Sequence, residues 1–174
     1  MRIDYFFVLI ILMSFSSCKE DPEPKLGTPR DAYTGSQLRT DGYFSLTYDN
    51  GQPRLLNYIL YRNGMLLFGG SPLISDKSKR EAEFGNGIWN ETAAPEKTFW
   101  GLFTINASDI MFDQWQLRDG GALASYKTYG KILNDTTFVM TSTTRFGFEN
   151  ETLDEIYRFT PLSKKPDSTN QFLD

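Results

Sequence analysis

The chain reads as an all-β protein: a closed up-and-down barrel of eight antiparallel strands, with a two-sheet β-sandwich as the competing arrangement. Three observations predict this. From about residue 40 onward, apolar and polar residues alternate with period two in short runs, the spacing that sends successive side chains to opposite faces of a strand. Turn-forming clusters separate most runs, so neighbours in sequence become antiparallel neighbours in space. Aromatic residues make up 15% of the 174-residue chain, a composition that packs well on pleated surfaces. Eight strands without crossover helices favour closure, because a barrel leaves no exposed edge. Strand count by itself leaves the sandwich open.

The first strand covers about 42–48, with Phe44, Leu46 and Tyr48 on one face, and Asp49-Asn50-Gly51 turns the chain. Strands at about 57–62 and 65–69 flank Asn63-Gly64. Asn-Gly between apolar runs is the strongest short hairpin signal, because both residues accept positive φ in a type I′ turn. A strand follows at 98–105, then the Asn106-Ala107-Ser108-Asp109 turn and a strand at 110–117. Asp119-Gly120-Gly121 breaks the pattern again. Strands at 125–133 and 137–146 form a hairpin about Asn134-Asp135-Thr136, and the last strand, 153–160, stops at Pro161. Gly101 and Gly130 lie inside strands, where glycine marks a bend at a barrel corner or a close backbone approach.

Residues 70–97 depart from this pattern. Gly70, Pro72, Gly85, Gly87 and Pro95 interrupt it, and Ser75 to Phe84 carries six charged residues. This predicts a long insertion between strands with a short exposed helix, capped by Ser75 or Asp76. Several strands, Phe99 to Ile105 above all, are apolar on both faces. Either the insertion covers one outer face or a partner does, and inside and outside cannot be assigned from the pattern. Asp113, between Phe112 and Gln114, faces opposite to both. A solvent-facing position is favoured over a buried acid with a raised pKa.

The N-terminus reads as a leader. Tyr5 to Met13 is a continuous run of nine apolar residues. A membrane-spanning helix needs about 20 residues, whereas a signal-peptide core needs roughly 7–15. Ser16 and Ser17 precede Cys18, the chain's only cysteine, and charge begins at once with Lys19-Glu20-Asp21. The order predicts removal of residues 1–17, fatty acylation of Cys18 and a mature protein held on a membrane. An unmodified thiol there would be unusual in an oxidising compartment, and several acyl chains suffice for stable anchoring. Residues 18–38, with Pro22, Pro24, Pro29, Gly27 and Gly35, read as a flexible tether. The barrel domain is placed at 39–162, and 163–174 reads as a polar tail.

Phe15-Ser16-Ser17-Cys18 resembles the lipobox of bacterial lipoproteins, and Cys18-Lys19-Glu20-Asp21 resembles the export signal of Bacteroidota surface lipoproteins. The domain resembles the lipocalin-like small lipoproteins of the same phylum. That resemblance rests on Trp100-Gly101-Leu102-Phe103-Thr104-Ile105, on Gly130 to Phe138, and on the Lys165-Pro166-Asp167-Ser168-Thr169-Asn170 tail. It implies a barrel with a possible ligand cavity, anchored to the outer membrane and exposed at the cell surface, with the periplasmic face as the alternative. It also implies that Tyr43 takes the place of the lipocalin tryptophan at the barrel base, with Arg158 stacked on it. Asp135-Thr136-Thr137 and Asp167-Ser168-Thr169 resemble the phylum's O-glycosylation motif, at Thr136 and Ser168. Four Asn-x-Ser/Thr matches read instead as turn chemistry.

Composition narrows the function classes. Removing the leader leaves 157 residues and an unchanged net charge of −4. Mild acidity without a basic block argues against nucleic acid. The chain has no histidine, so the commonest general base and metal ligand is missing. With Cys18 lipidated, no thiol remains for catalysis or zinc. No catalytic residue, metal ligand or cofactor is therefore assigned, and the protein is read as a non-enzyme. A small barrel can fill its interior or hold one ligand. The candidate pocket residues are Tyr58, Tyr61, Trp100, Phe103, Trp115, Tyr126 and Tyr129, together with Arg158. The expected function is binding of a small, partly apolar molecule or presentation of an interaction surface. The alternative is an accessory subunit of an outer-membrane complex that uses the insertion and the apolar outer faces. A hydrolase using Asp and Glu alone is the third reading.

Overall fold

A computed structural model of the protein describes residues 23–117, 120–144 and 151–173. Cys18, Lys19, Glu20 and Asp21 lie outside the described residues. Eight strands form: β1 (Gly42–Asp49), β2 (Pro53–Leu60), β3 (Met65–Phe68), β4 (Trp100–Asn106), β5 (Asp109–Leu117), β6 (Leu123–Asn134), β7 (Thr137–Thr143) and β8 (Glu151–Pro161). Each pairs antiparallel with the next, and β8 returns to β1 to close the barrel. The all-β barrel is the predicted one, and the sandwich is not formed.

Antiparallel order sends the connections alternately to two ends. The β2–β3, β4–β5 and β6–β7 turns form one end, the base. The strand ends joined by the other four connections surround the opposite end, the mouth. The Asn63-Gly64 hairpin forms, but with a three-residue loop instead of the type I′ turn. Gly64 takes φ +82° and Asn63 is not left-handed. Tyr61 N–H donates to Met65 O at 2.9 Å and Gly64 N–H to Tyr61 O at 3.1 Å. This is a turn closed by a left-handed residue. The Asn63 side chain holds it by accepting from Met65 N–H at 3.2 Å. A Cβ on Gly64 would also fall 2.2 Å from Asp31 O, so the passing chain demands glycine.

The insertion holds two helices, α1 (Lys77–Asn86) and α2 (Ile88–Ala93), joined at Gly87 with φ +89°. Asp76 occupies the α1 N-cap without a side-chain capping bond. The helices are not exposed throughout: Phe84, Trp89 and Ala93 are buried. They pack on the outward residues Tyr43, Ile59, Leu67, Trp100 and Leu102 as one apolar cluster. The insertion therefore provides the cover that two-sided strands require. A second cluster packs inside the barrel, with Phe44, Leu60, Leu66, Phe103, Ile110, Phe112, Phe138 and Tyr157 among its members.

Both chain ends are also packed. The described part of the presumed tether, 23–38, is a strap along the barrel and not a free linker. Thr28, Tyr33 and Leu38 are buried, and Leu26 packs on the outer cluster. The strap covers Asp113, which is 1% exposed and not solvent-facing. Its Oδ2 accepts from Thr28 N–H at 3.0 Å and Thr28 Oγ1 at 2.7 Å. The tail is likewise structural. Phe172 and Leu173 join the outer cluster, and Lys165 Nζ donates to Thr40 O at 2.6 Å and Leu60 O at 3.2 Å.

Candidate functional site

The mouth leads into a cavity of about 580 Å³ in the upper half of the barrel, within the size range of small-ligand sites. Strand alternation decides what lines it. Tyr58, Phe68, Phe112, Met140 and Tyr157 contribute inward positions of β2, β3, β5, β7 and β8. Below them, Phe44, Phe138 and Leu60 fill the barrel toward the base, and Tyr33 and Leu38 of the strap join that cluster. The base is thus plugged with side chains and the cavity opens only upward.

The floor is aromatic. The Tyr58 ring meets Phe112 at 5.2 Å, Phe68 at 5.6 Å and Tyr157 at 5.6 Å between centroids. Tyr157 stacks on Phe138 at 5.0 Å. Edge and offset contacts of this kind add about 0.5–1.5 kcal/mol each beyond area burial. Burial pushes the Tyr58 phenol well above its ordinary range, helped by Tyr126 and Glu155. Tyr157 is raised in the same way, by burial first and then by Tyr58 and Glu155. Both phenols keep their protons at neutral pH, and Tyr157 Oη donates to Glu155 Oε2 at 3.0 Å.

A polar belt sits above the floor, made of Gln114, Tyr126, Thr128, Thr143 and Glu155. The Thr128 and Thr143 hydroxyls are 3.2 Å apart. Gly101, directly across from Gln114 in the sheet, leaves space for that side chain; a Cβ there would fall 2.5 Å from Gln114 Cγ. Leu56, Phe99, Leu117, Leu153, Gln116 and Glu151 surround the upper part. Among the described lining residues the charged groups are Glu151 and Glu155, both acidic.

Of the predicted pocket residues, Tyr58 and Tyr126 line the cavity. Phe103 points inward but lies lower, against Tyr33 at 5.7 Å. Tyr61, Trp100 and Trp115 point outward and are buried under other chain segments. Tyr61 Oη donates to Pro166 O at 3.1 Å, Trp100 Nε1 to Ala93 O at 2.8 Å, and Trp115 Nε1 to Pro24 O at 2.8 Å. Tyr129 is 38% exposed on the outer wall. Arg158 is exposed, across from Ser45 and Thr137 in the sheet. It does not stack on Tyr43, which is buried beneath the insertion while Arg158 is exposed. Tyr43 instead meets Phe84 at 5.8 Å and donates to Glu81 Oε1 at 2.7 Å. At the base it is Arg39 that lies over an aromatic ring, that of Phe159, at 4.5 Å.

Sequence reasoning missed Phe68, Phe112, Gln114, Met140, Leu153, Glu155 and Tyr157. One signal was present. Tyr126 and Thr128 alternate with Lys127 and Tyr129, and Glu155 and Tyr157 alternate with Asp154 and Arg158. Strands whose other face carries exposed charge must turn the remaining set inward. No protein-family model matches the chain, and it matches neither a curated protein nor a solved structure.

Proposed function

We propose that this protein is a membrane-anchored binder, held by lipid on Cys18 and taking one small, partly apolar molecule into its barrel. The single observation that carries the reading is the cavity itself, with an aromatic floor, a belt of hydroxyl and amide groups, and no cation among its described lining residues. Glu151 and Glu155 disfavour a carboxylate or phosphate ligand and favour a neutral or cationic one with hydrogen-bond donors. The leader, Cys18 and Lys19-Glu20-Asp21 support an outer-membrane, surface-exposed location.

The two acids of the described lining, Glu151 and Glu155, lie on one strand, and Glu155 already accepts the Tyr157 hydroxyl at 3.0 Å, which favours a binder over a hydrolase. The accessory-subunit reading loses its main motivation, because the apolar outer wall offered for a partner is covered by the chain's own helices and tail.

The test is native mass spectrometry and thermal shift of the mature protein against matched alkyl or aromatic amines, alcohols and carboxylates. A saturable rise in melting temperature is expected for amines or alcohols. No shift with any of them, or a preference for carboxylates, overturns the proposal.

A further inference from the structure

The strap has a direction. Lys97 Nζ meets Glu23 Oε2 at 2.7 Å, immediately before Thr98 and Phe99, which line the cavity. Trp115 Nε1, near the mouth end of β5, donates to Pro24 O. Lower on the same strand, Asp113 takes both Thr28 donors. Arg30 Nε then donates to Asn63 O at 3.2 Å, and Tyr33 N–H to Arg62 O at 2.8 Å, both in the base loop between β2 and β3. The chain thus enters at the mouth, descends the outer wall and crosses the base into β1. The N-terminal side of the protein leaves from the open end of the barrel.

Five residue steps separate Cys18 from Glu23, which span at most about 18 Å when fully extended. Strand β5, nine residues long, runs about 27 Å, and strand tilt reduces that to about 20 Å along the barrel axis. A lipid at Cys18 therefore holds the mouth close to the bilayer and the base a barrel height further away. Leu117, 61% exposed and part of the cavity lining, sits on the side that approaches the lipid.

We propose that the strap docks the mouth of the barrel on the membrane surface, so that the cavity opens toward lipid and away from bulk solvent. This rests on the reading of Cys18 as the anchored residue. It identifies the occupant of the rim as the bilayer interface, and the ligand source as amphiphiles dissolved in it.

The test uses the full chain, exported and anchored by its own leader. With Cys18 acylated, the single thiol of Gln52→Cys at the mouth or Ser108→Cys at the base takes a donor fluorophore. Both positions are exposed, so folding is not at stake. Each protein is reconstituted in phosphatidylcholine vesicles carrying a headgroup acceptor. Transfer from position 52 should exceed that from position 108 several-fold. Equal transfer, or the reverse order, overturns the proposal. A flexible insert of about 20 Gly/Ser residues before Glu23 should collapse the difference, since such a chain spans about 25 Å on its own. A difference that survives the insert overturns the strap as its cause. If the wild-type chain does not float with vesicles, the anchor and this orientation both fall, while cavity binding, measured on the soluble domain, stands separately.

Discussion

The outer wall of β2–β5 and the upper half of the barrel interior are built from similar residues to opposite ends. Outside, Ile59, Leu67 and Trp100 are fully buried beneath α1, α2, the strap and the tail. Inside, Tyr58 and Tyr157 form a floor under open space, with Gln114, Thr143 and Glu155 above it. The wall that faces away from the barrel axis is thus the drier one. The conventional assignment of core to lumen and polarity to surface is half inverted here. Most of the packing that holds the fold lies outside the barrel and around its base, which leaves the upper lumen free for binding.

Four substitutions and conditions separate the two regions. Trp100→Ala should cost the most, about 3–5 kcal/mol, because it empties the centre of the outer cluster and removes the donor to Ala93 O; urea unfolding measures it. Should it prove nearly neutral, the outer cluster is not part of the packed core. Asp113→Ala comes next, at about 2–3 kcal/mol, since it strands two buried Thr28 donors that now bond a carboxylate. Hydrogen exchange at the Thr28 amide should rise with it, reporting release of the strap.

Leu153→Trp should have the reverse profile. It adds bulk to the cavity, so stability changes by no more than about 1 kcal/mol while ligand-induced thermal shift disappears. A large loss of stability would mean that the upper lumen is packed core after all.

The smallest effect is a pH dependence. Burial pulls the half-buried Lys165 ammonium down to about 8 from an ordinary 10.5. Between those values the unfolded chain binds more protons than the folded one, so this group adds stability as pH rises through 8. The buried phenols of Tyr43, Tyr58, Tyr61 and Tyr157 work the other way, since all four are raised above 10, chiefly by burial. Above pH 10 the unfolded chain sheds those protons first, and stability falls. Unfolding free energy should therefore pass through a shallow maximum between about pH 8 and 10, and Lys165→Met should flatten its rising side. In an alkaline ultraviolet titration, the four tyrosines should ionise only as the protein unfolds.

The period-two runs and turn clusters were enough to place eight strands and predict closure, because alternation and turn chemistry are local properties of the backbone. The boundaries of β2 shifted toward the N-terminus, to Pro53–Leu60. There Arg54 is anchored to Ser71 O at 2.8 Å, a contact that exists only once the insertion folds back. The presence of a covering insertion was legible as two-sided apolarity in 99–105. Its identity as the cover was not, nor was the role of the strap, whose proline and glycine content matches that of a free linker.

By itself the sequence determined the all-β class, the number and order of strands, and the absence of histidine and of any thiol other than Cys18. Only the tertiary structure decided which face of each strand is inside. In β4, Trp100 and Leu102 could have pointed into the lumen as readily as Gly101 and Phe103. The choice follows from what covers the outer wall and from where the small Gly101 leaves room for Gln114. Register on a two-sided apolar strand has no polar residue to fix it. The contacts that do fix the outward faces come largely from distant parts of the chain, as between Trp115 and Pro24, 91 positions apart, and between Tyr61 and Pro166, 105 positions apart.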